Sequence, residues 1–171
     1  MREGSSIDAV VAAAGDESVD FAGMSSPDGA VTLLVAETED PGSQHSSHLG
    51  RLVDKHDGQV VKEESGAAMC SFASAHAGLR CAIELQRKLA PAPVRIGIHA
   101  GFVIADESDF YGRNVVLVAR IADHAEPGEI LASAALRDYT ATDPSFEFEP
   151  RGEQHFKGLL GEHPLFAVGW S

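Results

Sequence analysis

The sequence predicts a single α+β domain in which strand and helix signals alternate as β-α-β-β-α-β before further C-terminal strands. Three observations carry this reading. A length of 171 residues supports one domain with a sizeable core and is short for two. Strand signals, a nearly continuous apolar run at 30–36, a hairpin over 59–72 and an alternating stretch from Val94, are separated by segments whose apolar residues recur at helical spacing. Turn and breaker residues punctuate them: Asp57-Gly58, Ser65-Gly66, Pro91 and Pro127-Gly128.

Taken in order, residues 1–28 are rich in Ser, Gly, Ala and acid, with two short apolar patches at 7–14 and 21–24. They read as a mobile tail, with the domain covering 29–171. The run 30–36 (AVTLLVA) is almost continuously apolar, as a buried strand is. A polar loop follows from Glu39 to Ser47, holding Pro41-Gly42. Leu49, Leu52 and Val53 then mark a helix that stops at Asp57-Gly58. Residues 59–64 and 67–72 read as a hairpin turning at Ser65-Gly66.

The clearest helix is 75–89, where Ala75, Leu79, Ala82, Ile83 and Leu89 share a face and Pro91 prevents continuation. Val94, Ile96 and Ile98 alternate with Arg95, Gly97 and His99 in a strand continuing past Gly101 to 105. A helix runs from about Asn114 to His124. A brief strand at 129–133, a short helix at 134–139 and strands around 146–149 and 164–168 complete the chain. The β-α-β-β-α-β order is ferredoxin-like, an architecture that hosts many functions.

The formal charge is −13, from 26 acidic and 13 basic side chains. Such a field repels nucleic acid and anionic membranes, though it says nothing of a local basic cleft. No run of roughly 18 apolar residues is present, so no membrane-spanning helix is expected. The 7–14 patch, broken by Asp8 and preceded by one base, Arg2, makes a poor signal peptide. A cytoplasmic location is the expectation. Cys70 and Cys81 lie far apart in apolar patterns and read as reduced core residues. His45 and His48 lie beside acids at a spacing that a metal site can use, but they read more simply as solvated loop residues.

Six segments in order, VTLLVAE (31–37), GQVVKEESGAAMCSF (58–72), VRIGIHAG (94–101), DFYGRNVVLVARI (109–121), PGEILAS (127–133) and RGEQHFKGLLGEHPLFAV (151–168), carry a resemblance. Together they resemble the class III adenylate/guanylate cyclase catalytic domain over nearly all of 29–168. The resemblance implies a ferredoxin-like βαββαβ core with added C-terminal strands. It also implies attack of a ribose 3′-hydroxyl on an α-phosphate, with pyrophosphate leaving and Mg or Mn as the metal of an active site.

Residue by residue, the resemblance places Glu37 at the first metal carboxylate and Gly66 at the second, where no side chain remains. Lys62 and Asp109 match the pair that reads adenine, one donating and one accepting, an arrangement that mismatches guanine. Arg120 matches the arginine that stabilises transition-state charge, and Lys157 a lysine on the terminal phosphates. The ribose-orienting asparagine is replaced by Val116. On the bare sequence the same residues also read as solvated charges, a turn acid and a helix ion-pair partner.

Departures therefore gather on the metal half, while the base-reading half retains all but the asparagine. Three readings follow. One is a catalytically impaired, cyclase-like domain that binds ATP or a partner in cyclic-nucleotide signalling. Another is an active adenylate cyclase, either a weak homodimer or the non-metal half of a heterodimer with a metal-competent cyclase domain. The third is a ferredoxin-like interaction module with no nucleotide role.

Overall fold

The computed structural model describes residues 6–16, 29–38, 43–64, 66–90, 93–102 and 111–170. The elements are α1 (Ser6–Asp16), β1 (Ala30–Thr38), α2 (Ser43–Lys55), β2 (Gly58–Glu64), β3 (Ala67–Phe72), α3 (Ala75–Leu89) and β4 (Val94–Phe102). A single π-helical turn, Tyr111–Val115, then leads into α4 (Val116–His124), β5 (Ile130–Ser133), α5 (Ala134–Thr140), β6 (Phe148–Gln154) and β7 (His163–Val168). The fold is α+β, as the alternation of signals requires.

The described strands form one sheet of order β2-β3-β1-β4-β5-β7-β6. Its first four strands have the ferredoxin-like arrangement. β1 pairs antiparallel with both β3 and β4, and β4 pairs parallel with β5. A strand between two neighbours and beneath helices on both faces must be apolar on both sides, and β1 is buried from Ala30 to Glu37.

Strand alternation divides the core. One face carries Leu34, Ala36, Ala68, Cys70, Phe72, Ile96 and Ile98 against α2, α3 and α5. The other carries Val31, Leu33, Val35, Ala67 and Met69 against Ile7 and Val10 of α1, Val115 of the π turn, and Val118, Ala119 and Ala122 of α4. α3 is fixed at its start by Ser74, whose hydroxyl accepts from the Ala77 N–H at 3.1 Å. At the far end of that core the buried Gln86 amide donates to the Val94 carbonyl at 2.7 Å. Cys70 and Cys81 are free and buried.

Three elements differ from the sequence reading. Part of the expected tail is α1, whose Ile7 and Val10 are completely buried. α2 begins at Ser43, inside the expected polar loop. β6 extends through Gln154, held by pairing with β7 and shifted in register between Pro150 and Glu153. The expected end of the fourth strand, 103–105, lies outside the described residues.

Candidate active site

The R-x-G-x-H-x-G pattern of β4 has a packing explanation. Ile96 and Ile98 point to the α3 side, so Arg95, Gly97, His99 and Gly101 point to the side on which α4 lies. A Cβ at Gly97 would collide with the Ala122 backbone, and one at Gly101 with the Asn114 side chain. The glycines let α4 and the π turn sit directly on the strand. His99 fills the gap between them.

The His99 ring is buried and doubly bonded. Its Nδ1 lies 2.7 Å from Ser133 Oγ and its Nε2 lies 2.7 Å from Asn114 Oδ1. An amide oxygen only accepts, so Nε2 carries the proton, and Nδ1 accepts from the Ser133 hydroxyl. That hydroxyl in turn accepts the Leu136 N–H at the start of α5, 3.2 Å away. Burial pushes the His99 pKa down to about 4; the Asn114 bond opposes this and nearby His163 adds to it. The ring is a neutral strut linking β4, β5 and the start of α4. Sequence reasoning missed it, because its partners lie 15 and 34 residues away.

Glu37 follows Val35 on the α4 side of β1, and only 5% of its surface is exposed. It stands opposite Arg95 in the β1–β4 register, with Arg95 Nη1 3.8 Å from Glu37 Oε1. Arg95 Nε also donates to the Ala125 carbonyl at 3.0 Å. Gly66, in the β2–β3 turn, has φ +94°, and its carbonyl accepts the Thr38 N–H at 2.9 Å. The hairpin turn therefore abuts the end of β1. Gly66, at the turn beside Glu37, has no side chain.

Lys62 is half-buried on β2 and pairs with Met69, a residue of the α1/α4-side core; a register shift between Val60 and Lys62 places it there. Val116 and Arg120, one turn apart on α4, are half-buried. Leu117 and Ile121 pack towards β5 and β7 and Val118, Ala119 and Ala122 towards β1 and β3, so Val116 and Arg120 lie on the part of α4 turned away from the sheet. Glu37, Lys62 and the helix α4 that carries Arg120 thus lie on the same side of the sheet.

Lys157 is exposed in the β6–β7 connection. Its neighbour Phe156 anchors that connection against His124 and His163, with ring centroids 6.3 and 5.8 Å away. A cavity of about 420 Å³ opens between this connection and the start of α4, lined by His99, Asn114, Leu117, Leu159 and His163. Asp109 lies outside the described residues, as does the side chain of His45.

Among the described residues the arrangement supplies too few oxygen ligands for two divalent cations. Such a site needs several hard oxygen ligands. Here the Glu37 carboxylate faces a guanidinium, Gly66 offers none, and no group of three His, Cys, Asp or Glu among the described residues is placed to hold a metal.

Comparison with known proteins places the chain. The model of the adenylate and guanylate cyclase catalytic domain matches residues 48–168. The chain belongs to this family. A Rhizobium meliloti (strain 1021) protein named "Putative adenylate cyclase 3" is 29% identical over 133 residues, covering 72% of this chain and 22% of that protein. An uncharacterized protein of Mycobacterium tuberculosis is 33% identical over 129 residues, covering 66% of this chain and 45% of its own length. The chain thus spans less than half of either relative.

Among solved structures, an adenylate cyclase from Trypanosoma brucei described in its monomeric state superposes with a TM-score of 0.75 at 18% identity, covering 85% of this chain and 90% of that one. An adenylate/guanylate cyclase/hydrolase from Silicibacter pomeroyi gives a TM-score of 0.67 at 24% identity, with coverages of 81% and 95%. At such identities these likenesses establish the shared fold. Domains of this family bind nucleotide substrates, commonly dimerise and generally use Mg or Mn. No helix among the described residues is long and apolar enough to cross a membrane.

Proposed function

We propose that this cyclase domain binds ATP through a retained base- and phosphate-reading half and turns it over poorly or not at all. One observation carries the reading. Gly66 closes the hairpin against β1 next to Glu37, whose carboxylate faces Arg95 instead of a second acid. A metal-assisted displacement needs charge neutralised on both attacking and leaving oxygens, and the described residues supply no pair of acids for that.

What remains is suited to binding. Lys62 donates to the base and Asp109 accepts from the adenine amino group. Arg120 and Lys157 meet phosphate charge, and Val116 leaves the ribose without its orienting amide. With two cations against a triphosphate the affinity is weak and falls with salt; about 0.1–1 mM is expected. Calorimetric titration tests this: ATP binds more tightly than GTP, and equal or undetectable binding of both at millimolar concentration refutes it.

A second reading is favoured by where the departures lie. All sit on the half that would hold metal, apart from Val116, so the chain can serve as the non-metal half of a heterodimer. Mixing it with a metal-competent cyclase domain then raises cyclic AMP production above that of the domain alone. An unchanged rate at saturating partner sinks this version.

A further inference from the structure

The sheet face that carries Glu37 and Lys62 is occupied by a segment the proposed function does not use. α1 lies across β2 and β3, touching β1 and α4 as well. Ile7 and Val10, three residues apart, are both completely buried, and Val11 and Val61 pack against the same cluster. Val61 precedes Lys62, and Met69, which pairs with Lys62, lies in the core beneath α1. The outward positions of the helix, Ala9 and Ala12, are exposed. α1 is therefore a one-sided apolar clip seated beside Lys62.

Its charge is that of the ligand. α1 has Asp8 in its first turn and no base. An acidic segment beside Lys62, the candidate base contact on this face, competes with a nucleotide in both space and charge.

We propose that α1 is an autoinhibitory cover, docked on the nucleotide-reading face through Ile7 and Val10 and mutually exclusive with bound nucleotide. This rests on the nucleotide-binding reading above. A covered site has an apparent affinity reduced by the fraction of molecules in which it is open. Coupling is reciprocal, so nucleotide must also loosen α1.

The test uses the full chain. Ile7→Asp/Val10→Asp removes the buried anchors, and Ala9→Asp/Ala12→Asp adds the same charge on the outward side. Amide exchange in residues 6–16 reports release, and isothermal titration with ATP reports affinity. The expected result is lost α1 protection with at least ~10-fold tighter ATP binding in the anchor variant, and neither change in the outward variant. Released α1 with wild-type ATP affinity overturns the cover while leaving the nucleotide reading intact. No ATP binding by either the released variant or the wild type overturns both. If the anchor variant fails to fold, the wild type decides: near-saturating ATP lowers protection of the α1 amides, and unchanged or increased protection refutes the proposal.

Discussion

Acidification should destabilise this domain through the buried His99 in a pH window the structure defines. The ring is buried, its Nε2–H is committed to Asn114 Oδ1, and its Nδ1 accepts from Ser133. Protonating Nδ1 places a charge in the core and turns an acceptor into a donor facing a hydroxyl already held by the Leu136 N–H. Burial pushes the folded pKa from 6.5 to about 4. A group whose folded pKa is depressed contributes stability fully present above its unfolded pKa. That stability is lost as pH falls from 6.5 through 4. At 1.36 kcal/mol per pH unit the interval is worth about 3 kcal/mol.

Carboxylates held low by their partners, Glu84 by Lys55 and Asp143 by Ser145, also lose stability in acid, so a difference measurement is needed. His99→Gln removes the titration and keeps part of the bonding. At pH 7.5 it should cost ~1–3 kcal/mol in urea denaturation, from imperfect replacement of two buried hydrogen bonds. The gap between variant and wild type should then shrink by about 3 kcal/mol between pH 6.5 and 4. A gap constant across that range would mean that the ring is not a neutral buried strut.

Other consequences follow from single positions. Gly97→Ala drives a methyl into the Ala122 backbone and should cost ~1–3 kcal/mol by thermal unfolding, whereas alanine at Gly50, where a Cβ meets nothing, should not. Burial raises the Cys70 thiol and pushes Cys81 up to about 12, so native protein should resist alkylation at pH 8 until denaturant is added. The triple change Gly66→Asp, Glu37→Asp and Val116→Asn should raise cyclic AMP production in a folded protein. The +94° φ at position 66 should cost ~1 kcal/mol of stability, and no gain in activity would locate the defect beyond these side chains. Asp109→Ala should narrow the ATP-over-GTP preference in titrations, while Lys157→Ala weakens both equally.

The core was legible in the sequence where periodicity and burial coincide. β1 reads as a buried strand because both its faces are covered, and β4 alternates because its two faces meet different helices. α1 was not legible: its stripe is only Ile7, Val10 and Val11, set among alanines and interrupted by Asp8, so it looks like tail until the sheet beneath it is known. β6 hid for the opposite reason. Its residues 149–153 are exposed and polar, and pairing to β7 alone keeps them extended. The candidate site was legible only as far as the resemblance reached. The Glu37–Arg95 pairing depends on strand register, and the His99–Asn114–Ser133 chain on contacts distant in sequence. Neither leaves a local signal.

The most direct test of the central claim is cyclic AMP production by the purified full chain with ATP and Mn²⁺, run beside a cyclase of known activity. The account predicts a rate at or near the protein-free background, since loss of one acid from a two-metal site removes several kcal/mol of transition-state stabilisation. Steady metal-dependent turnover comparable to the reference, abolished by Glu37→Ala, would contradict it and show that one carboxylate beside Arg95 suffices.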